Sequence, residues 1–272
     1  MIHSALNRLH RLLGRSDRAT HIAVLIRNQC AQVVRYRLSG ENEIGESGEG
    51  LLIEAVASRC QTVIDVGAHS GSWISRFLAT TNNNSIHGLI FEPQRRCLPD
   101  LESKLSNYPN VEVINAAVAD SPQEHEFFEA QEPEHSSLIE PVGEVTTATY
   151  PVRVTTLDEE VARRGWDTVD YLKVDAEGYD LRVLQGAVTL LRERRVGLIQ
   201  FEYNRTWSEA GSTLAAAYSY LNKKGYVVFL VKNDGLFELR YARYGEFFAY
   251  ANFCAVASDD IAQLKSLLRG PI

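Results

Sequence analysis

Apolar and polar residues alternate with two periods along the chain. From residue 50 onwards, short apolar runs typical of strands are separated by segments whose apolar residues recur at helical spacing. This alternation predicts a doubly wound α/β fold, in which helices flank a mostly parallel sheet. The predicted strands are residues 62–65, 86–92, 111–117, 125–130, 152–155, 169–175, 196–203, 226–231 and 247–257, of which the last two could pair antiparallel. The predicted helices include residues 180–191 and 259–268.

The first 38 residues carry a separate, basic helical pattern. Residues 4–13 place apolar side chains on one helical face and arginines on the other, and residues 19–29 predict a second helix. In residues 32–38 apolar and polar side chains alternate imperfectly, and this stretch is interpreted as an edge strand. A basic amphipathic start can bind a membrane surface or a partner. The favoured alternative is a helix packed on the domain with a solvated basic face.

A connector follows at residues 40–50, where four Gly and four Glu occur among eleven residues. Such a composition predicts either a flexible linker or a lid over a ligand site, since it directly precedes the first strand of the sheet. We therefore expect residues 1–49 to be a helical extension with a connector, and residues 50–272 to be the main domain.

The composition is that of a folded, soluble protein. Hydrophobic residues make up 45% of the chain and charged residues 23%, which argues against disorder. The net charge of −7 gives the chain as a whole no electrostatic attraction to nucleic acid or to an anionic membrane, so no nucleic-acid partner is expected. The sequence contains neither an apolar run long enough to span a membrane nor a secretory signal, which favours the cytoplasm. Free thiols are expected at the four scattered cysteines, Cys30, Cys60, Cys97 and Cys254. Homo-oligomerisation is left open.

The stretch from residue 62 to residue 73 carries the first candidate site. A short apolar strand ends in Asp65, and Gly67 and Gly71 then form a turn before a helix that begins at Ser72. A strand, a glycine turn and a helix N-terminus make a nucleotide site in α/β sheets. The turn lacks the Gly-x-Gly-x-x-Gly pattern of dinucleotide enzymes and contains no Lys or Arg. An ammonium or a ribose is therefore favoured over a pyrophosphate, which points to S-adenosylmethionine (SAM).

A second carboxylate, Glu92, ends the next predicted strand, 21 residues after Gly71. This spacing matches the acid that accepts ribose hydroxyls in nucleotide-binding units. The alternative is that Glu92 caps the following helix. Two small residues at the end of the third strand, Ala116 and Ala117, could flank an adenine ring.

A cluster of charges forms the second candidate site. Lys173 and Asp175 lie two residues apart at the end of a strand that should be apolar on both faces. Buried charges are costly unless they are paired or used, and open α/β sheets bind ligands at the carboxyl ends of their strands. Gly178 allows a turn that directs Asp175 and Glu177 into the crevice, and Glu202 ends a neighbouring strand. Both a catalytic cluster and a structural ion pair of Lys173 with a carboxylate remain open.

Five motifs taken together resemble the FkbM-type SAM-dependent methyltransferases, over roughly residues 50–203. The motifs are Ile64-Asp-Val-Gly-Ala-His-Ser-Gly71, Phe91-Glu-Pro93, Val154-Thr-Thr-Leu-Asp158, Leu172-Lys-Val-Asp-Ala-Glu-Gly178 and Val183-Leu-Gln-Gly-Ala187. The resemblance implies a class I methyltransferase fold with a mostly parallel, seven-stranded sheet. It also implies SAM as the methyl donor, S-adenosylhomocysteine (SAH) as the product and, in most members, O-methylation.

On this resemblance, Asp65, Gly67 and Gly71 belong to the cofactor loop, and Glu92 is the ribose acid. His69 stands where the family usually has Asn, and either side chain can donate a hydrogen bond to the cofactor. The other members of the turn expected beside the cofactor are Ala68, Ser72 and Trp73.

Methyl transfer to a hydroxyl needs a base that removes the hydroxyl proton during attack. The candidate catalytic residues are Lys173, Asp175, Glu177, Glu202 and His135, the last of which is also explained as a plain loop histidine. The three carboxylates could instead hold Mg²⁺, and no metal is assigned. The candidate acceptor contacts are Ser136, Ser137, Tyr179, Tyr203 and Trp207, although aromatic residues near strand ends are commonly core.

The sequence therefore predicts a SAM-dependent O-methyltransferase that acts on a small molecule, a sugar or a glycan-type acceptor. Two other classes stay open. A nicotinamide oxidoreductase on a similar sheet is disfavoured by the missing dinucleotide motif and by Asp65. A non-catalytic binding module could retain the same fold.

Overall fold

A computed structural model of the protein describes residues 2–39, 47–81 and 83–272. The chain divides into two compact units, Met1–Ser39 and Gly40–Ile272, and each is described by itself. Residues 40–46 of the expected connector lie outside the described residues. A linker or a lid at this place therefore stays a prediction, as does the expected domain boundary at residue 49.

The first unit consists of two helices, α1 (Ile2–Leu13) and α2 (Asp17–Leu38). Ser16 caps α2, because its hydroxyl accepts a hydrogen bond from the Ala19 N–H. The edge strand expected at residues 32–38 was wrong, since these residues continue α2 to its end. A run this short fits both periods, because Val33 and Tyr36 are three residues apart and share a helical face. In the described parts of the chain, no helix has both the length and the apolarity needed to cross a membrane.

The second unit contains twelve strands and nine helices among its described residues. The strands are β1 (Thr62–Val66), β2 (His87–Phe91), β3 (Val111–Ile114), β4 (Ala117–Val118), β5 (Gln123–Ala130), β6 (Thr146–Thr155), β7 (Val169–Val174), β8 (Val196–Tyr203), β9 (Tyr226–Lys232), β10 (Gly235–Glu238), β11 (Ala251–Ala257) and β12 (Leu268–Pro271). The helices are α3 (Glu49–Val56), α4 (Ser72–Thr81), α5 (Leu98–Leu105), α6 (Leu157–Arg163), α7 (Asp180–Gln185), α8 (Val188–Arg192), α9 (Thr206–Glu209), α10 (Leu214–Asn222) and α11 (Tyr241–Tyr244).

Nine of these strands form the main sheet, in the order β12-β10-β9-β11-β8-β7-β1-β2-β3. The five strands from β8 to β3 are parallel, and β11 lies antiparallel between β8 and β9. This is the α/β class I methyltransferase topology, so the predicted fold class is confirmed. The predicted antiparallel pairing of the last two strands is also confirmed, as β9 with β11.

The expected number of seven strands was too low for the described residues, because two more strands extend the β9 edge. A two-residue turn, Asn233-Asp234, joins β9 to β10 and makes a hairpin. The chain end then pairs with β10 as β12. The terminal helix expected at residues 259–268 is instead a 3₁₀ helix at Ser258–Leu264 followed by this strand. As an edge strand, β10 would leave backbone N–H and C=O groups unpaired, and pairing with the last residues of the chain satisfies them.

Two further expectations needed correction. The strands predicted at residues 125–130 and 152–155 exist as β5 and β6, but they form a separate three-stranded sheet with β4. The single helix predicted at residues 180–191 is two short helices, α7 and α8, separated at Gly186. A Cβ atom at Gly186 would overlap the Ala119 carbonyl oxygen, so close backbone packing requires glycine there.

Candidate active site at the carboxyl edge of the sheet

The turn between β1 and α4 brings two loops into backbone contact. Gly67 has a φ of +78° and Gly71 a φ of +74°, values that favour glycine. A Cβ atom at Gly67 would overlap the carbonyl oxygen of Asp175, at the end of β7. His69 also has a positive φ, +48°. The turn is therefore held against the loop after β7, with no room for a larger residue at position 67.

Glu92 lies at the end of β2 and ties this turn to the next loop. One carboxylate oxygen accepts the His69 N–H at 2.6 Å, and the other accepts the Gln94 N–H at 2.7 Å. Glu92 is 4% exposed, and burial raises its pKa to about 7 against the lowering effect of the two N–H groups. The carboxylate thus orders the loop and still faces the adjoining cavity with unused lone pairs.

A cavity of about 160 Å³ opens between this turn and the three-stranded sheet of β4, β5 and β6, the small sheet. Five of the residues predicted to bind the cofactor line it, namely Gly67, His69, Glu92, Ala116 and Ala117. The wall also contains residues that the sequence did not single out, including Val66, Gln94, Val118, Phe127, Glu134, Leu138 and Ala176. Phe127 comes from β5, whose strand was predicted but whose position over the cavity depends on tertiary folding.

The other predicted cofactor residues lie off this wall. Trp73 is buried and stacks on Phe77, with ring centroids 5.3 Å apart, so it contributes to the core. Ala68 is also buried, while Ser72 is exposed and its hydroxyl lies 2.9 Å from that of Ser70. Gly71 serves the turn, through its positive φ. The cavity wall therefore uses only part of the motif, namely Val66, Gly67 and His69.

Asp65 lies beneath the turn, on the opposite face of β1 from Val66, because successive residues of a strand alternate. It is 1% exposed, and neither carboxylate oxygen has a hydrogen-bond partner among the described residues. Burial raises the pKa of Asp65 to about 7, while nearby Lys173 lowers it. A buried acceptor without a donor is costly, and a ligand ammonium or a water would satisfy it. The cavity and Glu92 fit the adenosine of SAM, whereas Asp65 lies off the cavity wall, so its contact with the ammonium group stays a prediction.

A polar stripe crosses the sheet on the Asp65 face. Lys173 is the register partner of Asp65 on one side and of Gln200 on the other. Gln200 donates from its amide to Glu49 at 2.5 Å and accepts the Tyr171 hydroxyl at 2.6 Å. Glu49 was not predicted as a site residue, because it falls in the Gly/Glu segment that was interpreted as a connector. The available signal was Gln200, a polar residue in the middle of β8, where only the strand end carries another polar side chain, Glu202.

Three carboxylates meet at the end of this stripe. Asp175, Glu177 and Glu202 each offer an oxygen, and these oxygens lie within 4.8 Å of one another. The Asn204 amide bridges two of them, donating to Glu202 at 2.6 Å and to Glu177 at 3.3 Å. The cluster predicted from the strand ends is therefore assembled in the structure, and its oxygens could hold a divalent cation.

Lys173 forms an ion pair with a carboxylate, which is the structural alternative that the sequence left open. Its ammonium group donates to Asp175 at 2.9 Å, and the side chain is 4% exposed. Burial opposes the charge on Lys173, but Asp175, Glu49 and Asp65 together raise its pKa above the ordinary value. Lys173 consequently stays charged and is positioned to hold Asp175 in place.

The remaining members of the cluster are crowded acids. Burial, followed by repulsion from Asp175, raises the pKa of Glu177 and of Glu202 well above the ordinary value. The same two causes raise the pKa of Asp180 to about 7. Asp180 follows Gly178 by two residues and was read only as the start of a helix. Burial and mutual repulsion therefore favour the uptake of protons or of a cation by this cluster, and raised carboxyl pKa values are typical of general acid–base sites.

The predicted acceptor residues divide into two groups. Ser136, Ser137 and Tyr179 line the cavity, and the Ser137 hydroxyl donates to the Glu177 carbonyl at 2.9 Å. Tyr203 and Trp207 are fully buried and lie off the wall, in an aromatic cluster of the core.

His135 also lies off the cavity wall. Its side chain is 48% exposed, and its ring nitrogen Nδ1 lies 2.8 Å from a carboxylate oxygen of Glu144. This is the position of the plain loop histidine that the sequence left as the alternative. Its selection as a base stays a prediction, without a cavity contact to support it.

The sequence profile described as "Methyltransferase FkbM domain" matches residues 65–228, more than half of the chain. The chain belongs to the FkbM methyltransferase family. The family resemblance carried by the five motifs is thereby confirmed, and the matched segment of this FkbM methyltransferase runs from Asp65, at the end of β1, to Val228 in β9.

Solved structures similar to this FkbM methyltransferase have low sequence identity. An FkbM methyltransferase from Methylobacillus flagellatus KT is 15% identical, with a TM-score of 0.47 over 72% of this chain and 43% of that chain. The chain thus spans less than half the length of that structure. A precorrin-6y C5,15-methyltransferase from Geobacter metallireducens GS-15 is 14% identical, with a TM-score of 0.42 over 76% of this chain and 87% of that one. An rRNA methylase from Streptococcus thermophilus is 13% identical, with a TM-score of 0.42 over 77% and 93%. No curated protein matches the sequence.

Proposed function

We propose that this FkbM methyltransferase methylates a hydroxyl group of a small molecule, a sugar or a glycan-type acceptor, in the cytoplasm. The observation that carries the proposal is the cluster of Asp175, Glu177 and Glu202, beside the glycine turn at the same edge of the sheet. A hydroxyl is a weak nucleophile until a base removes its proton, and this cluster supplies crowded carboxylates for that purpose.

The cofactor-binding residues have distinct roles in this proposal. When bound, SAM supplies a methyl group that its sulfonium has already activated. Glu92 accepts hydrogen bonds from the ribose, the small side chains of Ala116 and Ala117 leave room for the adenine, and Asp65 accepts from the ammonium group directly or through water. What supports these roles is the cavity wall and the two unpartnered oxygens of Asp65.

The acceptor proton is taken by Glu202 or Glu177. Asp175 is held by Lys173, so it keeps a fixed orientation and its charge raises the proton affinity of both glutamates. The Asn204 amide links the two glutamates and fixes their spacing. A divalent cation bound to the same oxygens is the second way in which the cluster could acidify an acceptor, in particular a vicinal diol.

Acceptor contacts are proposed on the small sheet. Ser136, Ser137 and Tyr179 combine hydroxyl groups with an aromatic ring on the cavity wall, which suits a sugar or another ring with hydroxyls. Phe127 and Leu138 add apolar surface there and exclude water.

The test is methyl transfer from labelled SAM to a panel of hydroxylated and amino acceptors. We expect label on hydroxylated acceptors, and a loss of at least about a hundredfold in rate for Glu202→Gln, as for other removed general bases. Glu193→Gln is the matched control, since Glu193 is a surface residue that is 46% exposed. Label on amino acceptors alone would refute O-methylation. Protection against melting by NADPH but not by SAH would refute methyl transfer, and SAH binding without transfer to any acceptor would indicate a binding module.

A further inference from the structure

The two N-terminal helices expose apolar side chains whose contact with water is energetically unfavourable. On α1, Leu6, Leu9, Leu12 and Leu13 are between 44% and 70% exposed. At about 100° per residue they occupy an arc of roughly 120°, and every polar residue of α1 lies outside that arc. The helix therefore presents a continuous leucine stripe.

A second stripe runs along α2. Its exposed members recur at helical spacing and are between 50% and 84% exposed: Ile22, Leu25, Ile26, Val33 and Tyr36. Neither helix covers the apolar stripe of the other. Most of the large hydrophobic side chains that are exposed in the described residues lie on these two helices. Such a concentration marks an interaction surface rather than scattered surface residues.

Positive charge accompanies the apolar stripes. Residues 1–39 contain one acid, Asp17, and seven exposed arginines, Arg8, Arg11, Arg15, Arg18, Arg27, Arg35 and Arg37. This segment carries a net charge of +6 in a chain whose net charge is −7, so the rest of the chain carries −13. Attraction to anions is thus confined to the helical segment. We call the seven arginines, together with the apolar stripes of α1 and α2, the arginine–leucine surface.

Three occupants would cover an apolar helix face, and charge separates them. A second copy that packed its helical segment against this one would bring arginines against arginines, because Asp17 is the only acid in residues 1–39. A nucleic acid would neutralise the arginines but leave the leucines in water. An anionic bilayer satisfies both, since the leucines enter the acyl boundary and the guanidinium groups bind lipid phosphates.

We propose that the arginine–leucine surface binds an anionic lipid bilayer, with α1 lying in the plane of the interface. Leu6, Leu9, Leu12 and Leu13 face the acyl chains, and Arg8 and Arg11 lie at the level of the headgroups. The binding is peripheral and reversible, as for other basic amphipathic helices. It is independent of methyl transfer, so SAH affinity serves as a separate check that the methyltransferase domain is intact.

The test is sedimentation of the full chain with vesicles of phosphatidylcholine, with or without phosphatidylglycerol. We expect at least about tenfold tighter binding to the anionic vesicles, and loss of this difference at about 1 M salt, where the Debye length is about 3 Å. Leu9→Ser with Leu12→Ser should weaken binding about tenfold or more. The matched control is Asn7→Ser with His10→Ser, which introduces the same residues on the polar face and should bind like the wild type.

A third variant keeps the test informative if serine disrupts α1. Arg8→Ser with Arg11→Ser leaves the leucines in place and should reduce the preference for anionic vesicles. Equal binding to neutral and anionic vesicles, or none to either, would overturn the proposal. So would a dimer that Leu9→Ser with Leu12→Ser dissociates in the absence of vesicle binding, because a second copy would then be the occupant.

Discussion

Replacing Lys173 by methionine removes the positive charge from a buried cluster of acids while keeping a side chain of similar length. The ammonium group lies 2.9 Å from Asp175, and it also faces the buried carboxylates of Asp65 and Glu49. Among the described residues, no other cation is ion-paired with any of these three acids. The variant therefore leaves carboxylates without a counter-charge in a region from which water is largely excluded.

The expected cost is about 3–5 kcal/mol, the usual penalty for removing one member of a buried ion pair. Domains of this kind have a total stability of roughly 5–15 kcal/mol, so the loss should be large but measurable. The cost should depend on pH in a defined direction. In the variant the folded-state pKa of Asp65, already about 7, rises further above its unfolded value. The folded state then binds more protons than the unfolded state, and stability falls as pH rises through this range.

Urea unfolding of Lys173→Met at about pH 5 and about pH 8 measures both effects. The deficit relative to the wild type should be smaller at the lower pH. There Asp65, whose folded-state pKa is raised to about 7, is protonated in the folded state of both proteins, so it carries no charge for Lys173 to neutralise. Adding Asp65→Asn should restore part of the lost stability, with a coupling energy of about 1 kcal/mol or more. Lys223→Met, at an exposed lysine, is the control and should change stability by less than about 0.5 kcal/mol. A deficit below about 1 kcal/mol, or the same deficit at both pH values, would refute the argument.

Three further outcomes are expected at the site. Calorimetry should show that Glu92→Gln weakens SAH binding about tenfold or more. The affinity of the wild type for SAH should increase as pH rises through about 7, where Glu92 ionises. An unchanged affinity in the variant would contradict the ribose role. Gly67→Ala should abolish SAH binding and strongly lower the melting temperature. Gly143→Ala, with a similar φ of +81° but open space around it, carries the same backbone strain without an overlap, so it should lower the melting temperature less and leave SAH binding unchanged. The methyl-transfer rate should rise with pH above the ordinary carboxyl range, because burial raises the pKa of Glu177 and Glu202. Loss of the rate on adding EDTA would assign the cluster to a cation instead of a base.

Part of the candidate site could be predicted because its residues follow strand ends. Asp65, Glu92, Asp175 and Glu202 each lie at or just after the carboxyl end of a parallel strand, and in such a sheet these ends share one edge. An apolar run followed by a carboxylate is visible in a single sequence. The prediction needed only strand boundaries and the rule that parallel strands align their ends.

Other site residues could not be found in this way. Glu49 reaches the polar stripe from α3 through its hydrogen bond with Gln200, and its place depends on which elements pack together. Trp73 was predicted beside the cofactor because of its position in the motif. In the structure it stacks on Phe77 in the core, since a helix turns consecutive residues to different sides.

The sequence by itself determined the alternating elements, the glycine turn, the acids at strand ends and the concentration of arginine in the first 39 residues. These are properties of neighbours along the chain, so local periodicity and charge reveal them. Only the tertiary structure decided that Lys173 pairs with Asp175 and that Asp65 is buried without a partner. It also decided that the leucines of α1 are exposed. Burial and pairing depend on residues distant in the chain, and they set the pKa values and the free surfaces on which the chemistry depends.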